Sequence, residues 1–198
     1  MRKKIFITVI LLTTGAAMNF LSAQQPDTAY YSVVKGKSIS GIQKSWSNGN
    51  EHYYYFSFND RGRGDSVYEH VTTDKQGWIL ASSTTGKDYY KKPFHASFEL
   101  KNDSATSVVN DERKTKKYRH EMYSGMQSPG AVELLVNAAA AEPGGKTVLF
   151  RGDTMDVRAL HEVTVWLRNS PVNLLLAEIY YGTNLPPEFV WLSSNLKF

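Results

Sequence analysis

Apolar and polar residues alternate with a period of two through most of this chain, and that alternation predicts strands. The pattern falls at 29–34, 37–46, 51–58, 67–73, 78–85, 94–100 and 105–109, and again at 147–150, 155–167, 173–181 and 188–192. The stretch 51–58 carries Tyr53 and Tyr55 at one parity and Tyr54, Phe56 and Phe58 at the other. Such a strand is covered on both sides or presents a long aromatic face at an edge. Gly41, between Ile39 and Ile42, predicts a bend or bulge. Ser47-Asn48-Gly49-Asn50 predicts a hairpin with Asn-Gly at its centre, since both residues tolerate positive φ. Turns are predicted at 59–65, 74–77 and 101–104, and a loop at 86–92. Connections this short favour an antiparallel meander.

One stretch has a different period. Ser128 can cap a helix, and Pro129 suits its first position. Val132, Leu135, Val136 and Ala139 form one stripe, and Pro143-Gly144-Gly145 stops the run. The fold class expected is therefore mainly β: a curved antiparallel sheet or open half-barrel with one principal helix at about 129–141.

Residues 1–23 read as a signal peptide. Arg2, Lys3 and Lys4 precede an apolar run over 5–17, and Leu21-Ser22-Ala23 offers a cleavage site before Gln24. The expected location is the periplasm or the cell exterior, with membrane contact only through the signal before cleavage. Residues 24–198 are then a single β-rich domain. Three of the 23 basic residues and none of the 19 acidic ones precede Gln24, so the remainder holds 20 basic against 19 acidic residues. That balance supplies no field for nucleic acid. The basic cluster at 113–119 reads as a solvated strand or loop. The absence of Cys removes disulfides and thiolate metal sites.

Chemical signatures are scarce. His52, His70, His95, His120 and His161 form neither His-x-His nor His-Glu-x-x-His. No Gly-x-Ser-x-Gly elbow occurs, and Gly62-Arg63-Gly64 lacks the Lys of a phosphate loop. Asp153 with Asp156, and Glu69 across a hairpin, are acid pairs without a sequence reason to share a cleft. Arg-Gly-Asp occurs at 63–65 and 151–153, both at predicted turns where Gly and Asp serve the backbone. No residue is assigned a catalytic, cofactor-binding or metal-binding role, and no cofactor is implied. The aromatic content of 13% could stack sugars or line an apolar cavity, but burial favours rings that fill a core.

A likeness emerges from the order of motifs. Tyr31-Ser32-Val33-Val34-Lys35-Gly36 is followed by Tyr53-Tyr54-Tyr55-Phe56 and Asn59-Asp60-Arg61-Gly62-Arg63-Gly64. Gly86-Lys87-Asp88-Tyr89-Tyr90-Lys91-Lys92-Pro93, Pro129-Gly130, Pro143-Gly144-Gly145 and Tyr180-Tyr181-Gly182 come next, and then Pro187 with Phe189-Val190-Trp191-Leu192. This series resembles the N-terminal β-rich region of secreted bacterial amidohydrolase-family proteins. The resemblance implies a metal-dependent hydrolase domain, a (β/α)₈ barrel with His-x-His on its first strand. That motif is absent here, so no metal ligand carries over.

The expectation is an exported, non-catalytic accessory domain, truncated or split from a hydrolase domain that is its partner; residues 189–198 read as a strand with no polar wind-down. An apolar patch near Val190, Trp191, Leu192 and Phe198 would serve that partner. The alternative is a periplasmic half-barrel carrier for an apolar small molecule, lined by the sheet's concave face and the Val132/Leu135 stripe.

Overall fold

The computed structural model describes residues 27–167, 169–182 and 186–193; the stretch 1–23, expected from the sequence to be a signal peptide, and Phe198 lie outside them. Eight strands pair in sequence order as one antiparallel sheet: β1 (Ala29–Lys35), β2 (Ser38–Asn48), β3 (Glu51–Phe58), β4 (Ser66–Thr73), β5 (Ile79–Lys87), β6 (Pro93–Lys101), β7 (Ser104–Val109) and β8 (Glu112–Lys117). Helix α1 (Pro129–Ala141) follows. Four further strands, β9 (Lys146–Val148), β10 (Thr154–Leu167), β11 (Ser170–Tyr181) and β12 (Glu188–Ser193), form a second sheet in the order β12-β11-β10-β9. The larger sheet is open, with β1 and β8 as its edges. This is the mainly β, open-sheet architecture with a helix at 129–141 that the periodicity predicts.

The turns explain the register. Gly41 sits opposite Phe58, and a Cβ there would run into the Ser57 carbonyl, so only glycine lets β2 approach β3 this closely. The ladder of β1 and β2 slips between Val33 and Val34, beside Gly41, as the bulge signal predicts. Asn48 pairs with Glu51, so Gly49-Asn50 forms the hairpin turn, one residue later than predicted. Gly49 takes the positive φ (61°) at the first central position, which glycine holds without strain. The predicted loop at 86–92 begins later, because Lys87 pairs with both Ser66 and Pro93 and extends β5. The basic cluster lies largely on β8, where a row of charged side chains discourages further pairing at a sheet edge.

Side chains of the large sheet fix the start of α1. Ser128 accepts the Ala131 N–H at 3.3 Å. Gln43 Oε1 accepts the Gly130 N–H at 3.0 Å. The Glu69 carboxylate accepts the N–H groups of Gln127 and Ser128, each at 2.7 Å, and the Thr84 hydroxyl at 2.9 Å. Donors at a helix start otherwise lack partners, and a carboxylate there also meets the positive end of the helix dipole. The helix thus docks by polar contacts from β2, β4 and β5 before its apolar stripe is considered.

That stripe then closes the core. Leu135, Val136 and Ala139 are buried against Tyr54, Val71 and Phe98 of the large sheet and Met155, Val157, Ala177 and Ile179 of the small one, in one continuous cluster. Phe98 stacks on Tyr123 with centroids 4.5 Å apart and meets Phe150 edge-on at 5.5 Å. Each such side chain contributes roughly 1.5–3 kcal/mol on burial. The helix is therefore the filling between two sheets, and Leu135, expected as cavity lining in the carrier reading, is a buried member of this core.

Candidate functional site

The small sheet has one face in the core and one face to solvent. Antiparallel pairing puts residues of alternate parity on opposite faces. Val157, Ala177, Ile179 and Leu192 are buried on the helix side. The register places Val163, Val165, Val172, Leu174, Leu176, Phe189 and Trp191 together on the other side. Phe189 and Trp191 are 58% and 53% exposed. A solvated face of an antiparallel sheet normally carries polar residues. This one carries the apolar residues Val163, Val165, Val172, Leu174, Leu176, Phe189 and Trp191, with His161 opposite Leu176 and Glu178 opposite Phe189, and becomes more polar towards β9. There Arg158 pairs with Asp156 at 2.7 Å and lies over the Tyr180 ring, 4.7 Å from its centroid. Arg158 is the main reason the Asp156 carboxyl is held below its usual range.

Among the described residues the β10–β11 hairpin continues beyond β12 as a two-stranded arm. Its partnered register runs to Leu167 and Ser170, whereas the ladder with β12 stops at Leu174 and Ser193. Trp166, near the tip, is 70% exposed. From Val157 onward β10 has no strand on its second edge among the described residues. An apolar face beside an open strand edge is a surface built to be covered.

The expected patch is found only in part. Trp191 is exposed as the sequence suggests, and Phe189 joins it. Leu192 points the other way into the core, and Val190 packs partly against it, because a period of two cannot leave the three successive residues Val190, Trp191 and Leu192 on one face. The missed members are Val163, Val165, Val172, Leu174 and Leu176. The Leu174-Leu175-Leu176 run was the available signal, since three consecutive apolar residues in a strand require both faces to be covered.

Two clefts lie against α1. One, of about 300 Å³, is lined by Val132, Leu135, Tyr181, Ser124, Arg151 and Glu188. Burial pushes the Tyr181 phenol above its ordinary pKa. The other, of about 280 Å³, lies between the β2–β3 hairpin and α1 and includes Asp27, Ser47, His52, Tyr54, Glu133 and Asn137. Burial lowers the His52 pKa and raises that of Glu133. Tyr54 is raised first by burial and then by the charges of Glu133 and Glu69.

The histidines stay apart. His52 lies 3.3 Å from the Thr73 hydroxyl, and His70 pairs with Glu51 while stacking on Tyr53. His120 lies over Trp78, and His95 faces Asp111 at 4.0 Å. Among the described residues no group of three His, Asp or Glu could hold a metal ion. Asp153 pairs with Arg151 and Asp156 with Arg158, so neither is a free acid. In the first Arg-Gly-Asp, Gly64 is buried against Phe58 and donates to the Tyr89 carbonyl. In the second, Arg151 and Asp153 pair with each other at 2.9 Å.

No family model matches the chain, and no curated protein or solved structure matches it either.

Proposed function

We propose that this chain is an exported, non-catalytic accessory domain that packs against a metal-dependent hydrolase domain through the solvent face of its four-stranded sheet. The observation that carries the reading is the apolar row on the outer face of the small sheet, in which Phe189 and Trp191 are exposed and Val163, Val165, Val172, Leu174 and Leu176 are half-buried. Left in water it forfeits the free energy of burial, roughly 25 cal/mol per Å². The occupant is inferred from the order of motifs, which resembles that of the leading region of secreted amidohydrolases, where a barrel domain follows.

The test offers the chain, in trans, the barrel of a secreted amidohydrolase from which its own leading region has been removed. Calorimetry should give a dissociation constant of about 10 µM or tighter, weakened about tenfold or more by Trp191→Ser. No heat of binding at about 100 µM, or equal binding by wild type and Trp191→Ser, contradicts the reading.

A second reading, a carrier for an apolar small molecule, is supported by the Val132/Leu135/Tyr181 cleft. Native mass spectrometry of the exported protein decides it: a retained apolar ligand, lost in Val132→Asp, favours the carrier, and a ligand-free mass opposes it.

A further inference from the structure

The two edges of the eight-stranded sheet differ in chemistry. β8 reads Glu112-Arg113-Lys114-Thr115-Lys116-Lys117, and a charged row of that kind keeps other strands away. β1 reads Ala29-Tyr30-Tyr31-Ser32-Val33-Val34-Lys35, with one charge at its end. Its outer edge has no strand partner among the described residues, and Tyr30, Tyr31 and Val34 are exposed on it. The slip in the β1–β2 ladder skips Ser40 on β2, so β1 itself keeps an unbroken alternation. Exposed strand edges are normally blunted by charge, proline or a bulge of their own, and a regular apolar edge is a template for a further strand.

The sequence of this edge also says which strand fits it. Over 27–35 the only charged residues are Asp27 and Lys35, one at each end. Antiparallel pairing of the stretch with itself, centred on Tyr31, sets Tyr31 against Tyr31, Ala29 against Val33 and Asp27 against Lys35. Opposite charges then meet at both ends, and two aromatic rings meet at the centre. Asp27 is exposed and takes part in no ion pair among the described residues. Lys35 bonds Asp60 at 2.5 Å with about half of its side chain in water, and its ammonium has N–H donors left for a second carboxylate.

We propose that β1 pairs antiparallel with β1 of a second copy of this chain, about a two-fold axis at Tyr31, joining the two large sheets edge to edge. Such a contact uses the same edge of both copies and therefore closes at two chains. The charged β8 edge opposes growth into a longer sheet. The contact lies on the large sheet and leaves the outer face of the small one free, so this inference does not rest on the hydrolase-docking reading.

Sedimentation equilibrium of the exported protein tests it, with an expected dimer dissociation constant of about 20 µM. Asp27→Lys sets like charges together at both ends of the contact, and so does Lys35→Glu, so each variant alone should dimerise about tenfold more weakly or worse. An equimolar mixture of the two restores opposite charges at both ends and should associate about tenfold more tightly than either variant alone. Tyr31→Lys brings two cations to the axis and should remain monomeric at about 100 µM, whereas Trp191→Ser, on the other sheet, should dimerise as the wild type does. A retained urea midpoint confirms that each variant is folded. A wild type monomeric at about 200 µM, a dimer that Tyr31→Lys leaves intact or Trp191→Ser abolishes, or a mixture no tighter than its components overturns the proposal.

Discussion

Glu69, in the middle of β4, accepts the backbone N–H of Ser128 at 2.7 Å, across 59 positions of chain. With the Gln127 N–H and the Thr84 hydroxyl, this one carboxylate orders the entry to α1. It is 3% exposed, and the Ser128 N–H that it satisfies is buried with it. Glu69→Ala leaves the buried Ser128 N–H and the part-buried Gln127 N–H unpaired and should destabilise the fold by about 2–5 kcal/mol in urea unfolding. Glu69→Gln keeps an acceptor oxygen and should lose less than Glu69→Ala.

Gly130 gives a test in which two effects compete. In a helix Ala is favoured over Gly by about 1 kcal/mol. Here a Cβ would lie 2.7 Å from Gln43 and 2.8 Å from the Tyr54 ring. Tyr54 is buried and cannot swing into solvent, and overpacking costs about 1–3 kcal/mol. Gly130→Ala should therefore destabilise, and adding Tyr54→Leu should recover part of the loss. A double-mutant cycle with no coupling contradicts this packing account.

Burial lowers the His52 pKa below its ordinary value of 6.5. The unfolded chain then takes up the proton more readily than the fold, so stability rises with pH across this window. The contribution is complete above about pH 6.5 and is lost as pH falls through the ordinary value towards the lowered one. The stability of wild type relative to His52→Gln, followed by urea unfolding from pH 7.5 to 5.5, should fall as the solution is acidified.

Three carboxyls behave in the same sense at lower pH. Glu51 is held down by its hydrogen bond to His70, Asp60 by Lys35 and Asp156 by Arg158. Each stabilises the fold above the usual carboxylate range, and each contribution is lost as pH falls through the lowered value. Asp156→Asn should flatten the acid limb of the stability curve while leaving stability at pH 7 only slightly changed, because the pair is on the surface.

Much of this architecture is legible in the sequence, for local reasons. The strands and the helix at Pro129–Ala141 are written in periodicity, the Ser128 cap and the glycine and proline stops. The hairpin at Asn48 was displaced by one residue because cross-strand pairing, not the Asn-Gly dipeptide, chooses the turn. The surface at Trp191 was legible as apolar character but not as a face. Which residues join Trp191 depends on the β10–β11 register and on the bulge between Ala159 and His161, which reverses parity midway along β10. The cleft beside α1 left no local trace, since Asp27, His52, Glu133 and Asn137 meet only when the helix lies against the first hairpin.

The central claim is that the outer face of the small sheet is covered by a hydrolase domain, and hydroxyl-radical footprinting tests it side chain by side chain. In the isolated chain Phe189 and Trp191 should be oxidised readily, in keeping with their exposure. With a saturating amidohydrolase barrel domain added, both should become protected while Tyr30 and Tyr68, exposed on the large sheet, stay as reactive as before. Unchanged oxidation of Phe189 and Trp191 in a mixture shown to be associated, or protection confined to Tyr30 and Tyr68, would contradict it.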